Sequence, residues 1–124
     1  MLVRVTVDTQ MNVLDAVACI DALPYAGFCD RIVPDYSKLI GLNLFQGFRK
    51  AVKERFGGTH GCSHVTELVM SLPTAALQTM ASDLHNNEDS GHKPFELDRC
   101  HALDSHSEAV RRYYPRWYRG QKIG

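Results

Sequence analysis

The chain has 124 residues, with 14 Lys and Arg against 14 Asp and Glu, a length that suggests one domain burying roughly two-thirds of its unfolded surface. A formal net charge of zero argues against nucleic-acid or membrane-surface binding by the chain as a whole. No apolar run reaches the roughly 18 residues of a membrane span, and Arg4 interrupts the N-terminus too early for a secretory signal.

Val3, Val5 and Val7 alternate with Arg4, Thr6 and Asp8, the period-2 pattern of a half-buried strand. Thr9–Asn12 reads as a turn. A second strand follows, with Leu14, Ala16, Ala18 and Ile20 on one apolar face and Val13, Asp15, Val17 and Cys19 on the other. The two make a hairpin, and Cys19 reads as a small buried hydrophobe. Pro24, Gly27 and Pro34 punctuate the next stretch, and a short helix ends at Leu39-Ile40-Gly41, with Gly41 its cap. Phe45, Phe48, Val52 and Phe56 form one helical stripe, ended by Gly57-Gly58. A third helix starts near Cys62, with Val65, Leu68, Val69, Leu72, Ala76 and Met80 on its apolar face and Pro73 expected to kink it. Residues 83–93 turn polar and read as a loop or linker. A last helix runs from Ser107 to about Tyr114, stopped by Pro115, inside a basic and aromatic segment, 111–124, expected to pack back on the domain. These elements predict a single α+β domain over 1–124, an antiparallel hairpin or sheet packed on one side by three to four helices.

The four cysteines, Cys19, Cys29, Cys62 and Cys100, are too widely spaced for a disulfide framework. Free thiols in the cytoplasm are the expectation. The stretch Gly58-Thr59-His60-Gly61-Cys62-Ser63-His64 is the most informative in the chain. It places Cys62 in a glycine-rich turn at a helix start, where unpaired backbone N–H groups and the helix dipole favour a thiolate. The three glycines suggest a mobile, solvent-reachable turn. His60 and His64 flank the thiol as proton acceptors or metal ligands. Glu67 follows His64 by three residues, on the same helix face. Cys100-His101 is a second Cys/His pair. No CxxC knuckle is present, so a zinc ribbon is not indicated.

The blocks Val5-Thr6-Val7-Asp8, Val13-Leu14-Asp15-Ala16, Leu39-Ile40-Gly41-Leu42, Gly61-Cys62-Ser63-His64-Val65-Thr66-Glu67-Leu68 and Tyr114-Pro115-Arg116-Trp117 resemble the bacterial proteins of domain of unknown function 2889. That family brings no activity, but its members usually carry a further β-rich segment before the position of Met1. The order of strands and helices, with Cys29 opening one helix and Cys62-Ser63 another, is also similar to the iron–sulfur cluster assembly scaffold family. That resemblance implies a sheet covered by helices and a site where cysteines and a histidine gather around a cluster or zinc. Gly61 separates His60 from Cys62 where that family has the two adjacent.

Binding of zinc or an iron–sulfur species through Cys29, Cys62, His60, His64 and Cys100 is therefore the first expectation for function. It would bring the sulfurs of Cys29 and Cys62 within roughly 4 Å of each other. A thiol-dependent enzyme with Cys62 as nucleophile and His64 as base is an alternative. A protein–protein interaction domain without chemistry is another. A two-stranded hairpin leaves open edges, so cover by a second copy of the chain, making a homodimer, or by the C-terminal segment is expected.

Overall fold

Alternating residues build an antiparallel hairpin, β1 (Leu2–Val7) with β2 (Val13–Cys19), in a computed structural model that describes residues 1–80, 91–94 and 96–120. Among the described residues the sheet has two strands. Val5 pairs with Ala16 and Thr6 with Asp15, but Val7 pairs with Val13, so Leu14 is an extra residue opposite the end of β1. Such a bulge shifts the side-chain alternation by one position. Val13 therefore joins Ala16 and Ala18 in the core at 1% exposure, while Leu14 is 57% exposed. This reverses the faces expected for those two residues. Cys19 is also not buried. It faces solvent, and its thiol donates to Asp21 Oδ1 at 3.1 Å.

The turn is organised by Asp8. Its Oδ1 accepts from the N–H groups of Gln10 and Asn12, both at 2.9 Å, and its Oδ2 accepts from the Asn12 amide at 2.9 Å. Asn43 donates to Gln10 O and Asn12 Oδ1. The backbone of Gly41, Leu42 and Leu44 bonds to Val13 and Met11. The segment after Leu39 is thereby laid along the start of β2.

The helix expected before Gly41 is an 11-residue 3-10 helix, Cys29–Leu39. Pro34 within it has no N–H to give to an α-helical ladder. With three residues per turn, Val33, Tyr36 and Leu39 share a face, and Tyr36 and Leu39 are fully buried. Helix α1 (Phe48–Phe56) buries Phe48, Val52 and Phe56, the expected stripe without Phe45, which precedes the helix and is exposed. Helix α2 (Ser63–Thr79) buries Val65, Val69 and Pro73, one i+4 row. Leu68, expected on that face, lies off the row and is exposed. The protein is thus α+β, with a small antiparallel sheet and several helices.

Where length suggests one domain, two compact units form, Met1–Gln78 and Thr79–Gly124. In the second, α3 (Glu108–Tyr113) is capped by Ser107, whose Oγ accepts from the Val110 N–H, and the chain leaves it just before Pro115. Val110, Leu97 and Ser105 are buried there. Residues 83–90 of the expected polar loop and 121–124 of the C-terminal segment lie outside the described residues. No helix among the described residues is long and apolar enough to cross a membrane.

Candidate functional site

The strongest site in the first unit is built around Cys62. After α1 the chain makes a short 3-10 turn, Gly58–His60, and then runs extended at Gly61. A Cβ at Gly61 would lie 2.5 Å from the Phe56 carbonyl oxygen and 2.9 Å from the Phe56 Cβ. Only glycine lets the chain pass this close to the end of α1. Gly58 has φ of +58°, a left-handed conformation that costs a side chain but not glycine. The glycines thus serve packing and a tight reversal, not looseness.

Cys62 comes next and directly precedes α2, as its place in the sequence predicts. Its backbone is held from the 3-10 helix. The Cys62 N–H donates to the Tyr36 hydroxyl at 2.9 Å. The same hydroxyl lies 3.1 Å from the Cys62 carbonyl oxygen and 2.9 Å from Thr66 Oγ1. A phenol has one donor and two acceptor lone pairs. All three contacts are met when Tyr36 donates to the Cys62 carbonyl and accepts from Cys62 N–H and Thr66 Oγ1. The Tyr36 ring stacks on Phe56, with centroids 4.6 Å apart and planes 7° from parallel. The expectation of a mobile turn is therefore corrected: the segment is clamped between Tyr36 and the end of α1.

The side chain of Cys62 is half-buried, and its sulfur lies 3.9 Å from His64 Nδ1. His64 is exposed on the first turn of α2, and His60 is exposed at the end of the preceding 3-10 turn. Cys29 is half-buried at the opening of the 3-10 helix that supplies Tyr36. At a 3-10 rise of about 2 Å per residue, the seven residues from Cys29 to Tyr36 span about 14 Å along that helix. Cys100 is exposed in the second unit, just before the 3-10 turn His101–Leu103. Among the described residues no three His, Cys, Asp or Glu side chains are grouped to hold a metal ion. Of the residues singled out in the sequence, the structure brings together Cys62 and His64. Tyr36 was not among them. The signal for it was the three-residue spacing of Val33, Tyr36 and Leu39, which marks one face only if the helix is 3-10.

Cys19 offers a contrast. Asp21, by its hydrogen bond and its charge, pushes the Cys19 thiol above its ordinary range. Cys19 is thus exposed, with its thiol form favoured over the thiolate by Asp21.

Residues 1–78 match the family described as Protein of unknown function (DUF2889). The chain belongs to the DUF2889 family. The match covers the same residues as the first compact unit, so Cys29, His60, Cys62, His64 and Tyr36 all lie within the part that DUF2889 members share, and Cys100 lies beyond it. No curated protein and no solved structure matches the chain. The similarity to the iron–sulfur assembly scaffolds therefore finds no counterpart in these comparisons.

Proposed function

We propose that the DUF2889 unit of this chain presents a reactive thiol, with Cys62 as nucleophile and His64 as the base that takes its proton. The observation that carries this reading is the 3.9 Å separation of Cys62 Sγ and His64 Nδ1 beside a backbone fixed by Tyr36. A thiol becomes a nucleophile when a base stands within reach and the start of a helix stabilises the thiolate. Tyr36 keeps the sulfur from drifting away from its base. His64, being exposed, can pass the proton on to water. An electrophilic carbon or sulfur would be the point of attack.

Metal binding is a second reading of the same residues. A thiolate and an imidazole side by side are two of the donors that zinc takes, and soft thiolates also suit iron–sulfur species. Cys29 or His60 would have to complete the set.

Alkylation of the whole protein with iodoacetamide at neutral pH, each cysteine followed by peptide mapping, tests the first reading. Cys62 reacts ahead of Cys19, and His64→Ala slows Cys62 alone. Equal, slow reaction at the two cysteines in metal-free protein would leave Cys62 a structural residue. Zinc or iron retained by protein purified anaerobically without a tag, and lost in Cys62→Ser, would favour the metal reading. If both experiments fail, an interaction domain without chemistry is what remains.

A further inference from the structure

The second unit holds a cavity of about 510 Å³ that plays no part in the Cys62 site. Four basic residues, Arg99, His101, His106 and Arg119, line it together with two acids, Asp98 and Asp104. Both acids are engaged by their own unit. Asp98 accepts from the Ser105 N–H at 2.7 Å and from Ser105 Oγ at 2.8 Å, and it pairs with Lys93. Asp104 Oδ1 accepts from the His106 N–H at 2.9 Å. His106 Nδ1 lies 2.7 Å from the Gly120 carbonyl oxygen. A carbonyl only accepts, so Nδ1 carries a proton and the ring is fixed, with Nε2 on its opposite edge.

The arginines divide in a telling way. Arg111 is paired with Glu108, Arg112 lies over the Tyr113 ring, and Arg116 lies over the Trp117 ring. Arg99 and Arg119 have no hydrogen bond or ion pair from their side chains among the described residues. Among the described residues of the second unit, the two guanidinium groups left without a partner therefore belong to the two arginines that line the cavity. Lys93 offsets Asp98, so Arg99 and Arg119 against Asp104 leave the lining with a net positive charge. The guanidinium fork fits phosphate oxygens in pairs. A volume within the usual range for small-molecule sites leaves room for a body beyond the anion.

We propose that this cavity binds a phosphate group, free or as the head of a small molecule, through Arg99 and Arg119, with His101 as a further N–H donor and His106 Nε2 as an acceptor for a phosphate hydroxyl. Arg99 and Arg119 are exposed and hold nothing else in place, so replacing them leaves the fold intact.

The test is an amide NMR titration of the full chain with inorganic phosphate and, separately, with glycerol phosphate. Saturable shifts are expected at Ser105, His106, Arg119 and Gly120. Arg99→Gln and Arg119→Gln each weaken binding about tenfold, with an unchanged melting temperature. Arg112→Gln, which removes the same charge away from the cavity, leaves binding unchanged. Tighter binding of glycerol phosphate assigns the cavity to an organic phosphate, and equal binding assigns it to the free anion. Shifts that do not saturate, that spread equally over Arg111, Arg112 and Arg116, or that persist in the Arg99→Gln/Arg119→Gln double variant would overturn the proposal.

Discussion

Tyr36 and Cys62 are 26 residues apart, yet one hydroxyl meets both the N–H and the carbonyl of Cys62. A polar contact of this kind, inside a fully buried residue, is costly to remove by halves. Tyr36→Phe keeps the ring and its stacking on Phe56 but leaves the Cys62 N–H without its partner. The expected loss is about 2 kcal/mol, the usual cost of stranding a buried donor, read from urea denaturation. The variant also frees Cys62 to move, so its alkylation rate should lose its dependence on His64. A Tyr36→Phe protein as stable as the parent would mean that water replaces the hydroxyl. Gly61→Ala acts on the same clamp from the other side. A methyl against the Phe56 backbone is expected to cost about 1–3 kcal/mol, as overpacking does. The half of the site that was legible in the sequence is the local half, because Cys62 and His64 are two residues apart and share a helix start. The three-residue spacing of Val33, Tyr36 and Leu39 marks the buried face of Tyr36 but not its partner, because the contact with Cys62 is made at the level of the fold.

At the scale of the elements, periodicity located the hairpin and both long helices but not the phase of β2. A period-2 pattern assigns faces only while the alternation is unbroken. One bulge residue at Leu14 exchanges core and solvent for everything on one side of it. The two readings differ measurably. Val13→Ala is expected to cost about 2 kcal/mol, from two buried methyl groups and the cavity they leave. Leu14→Ser is expected to stay within about 0.5 kcal/mol, as an exposed substitution does. The opposite order would restore the simple alternation. The 3-10 helix was hidden for a related reason: its three-residue period is not the period that a helix search expects, and Pro34 reads as a break. The hairpin turn carries its own pH dependence. Hydrogen bonds from Asn12 hold the Asp8 carboxyl below its ordinary 3.8. A lowered carboxyl contributes stability above its unfolded value, and that contribution is lost as pH falls below about 3.8 through the folded value. Asp8→Asn should therefore lower the melting temperature near neutral pH and flatten its fall on the acid side. A variant whose acid limb parallels that of the parent would show that the turn does not depend on the charge.

For the whole molecule, two independent boundaries coincide. The DUF2889 match ends at residue 78, and so does the first compact unit. Nothing in the composition near Gln78 marks that boundary, since it falls inside the last turn of α2, and length alone favoured one domain. The residues that fill the first core, including Tyr36, Leu39, Val52, Val65 and Val69, all precede it in the chain. The Cys62–His64 pair and its Tyr36 clamp also lie wholly within it. If the first unit carries both its own core and its own chemistry, a fragment of residues 1–80, which completes α2, should fold and keep the site. A chain of this length buries only about 60% of its unfolded surface, so lower stability than the full protein is expected, but with a cooperative urea transition. On the proposed reading, peptide mapping after alkylation should place Cys62 ahead of Cys19 in the fragment, because His64, Tyr36 and the start of α2 are all retained. Asp21 is retained as well, so Cys19 stays slow and serves as the internal reference. A fragment that folds cooperatively but loses the order of the two cysteines would mean that residues beyond 80 complete the Cys62 site. A fragment without a cooperative transition would mean that the first unit depends on the rest of the chain for its fold, and the shared boundary would then mark ancestry alone.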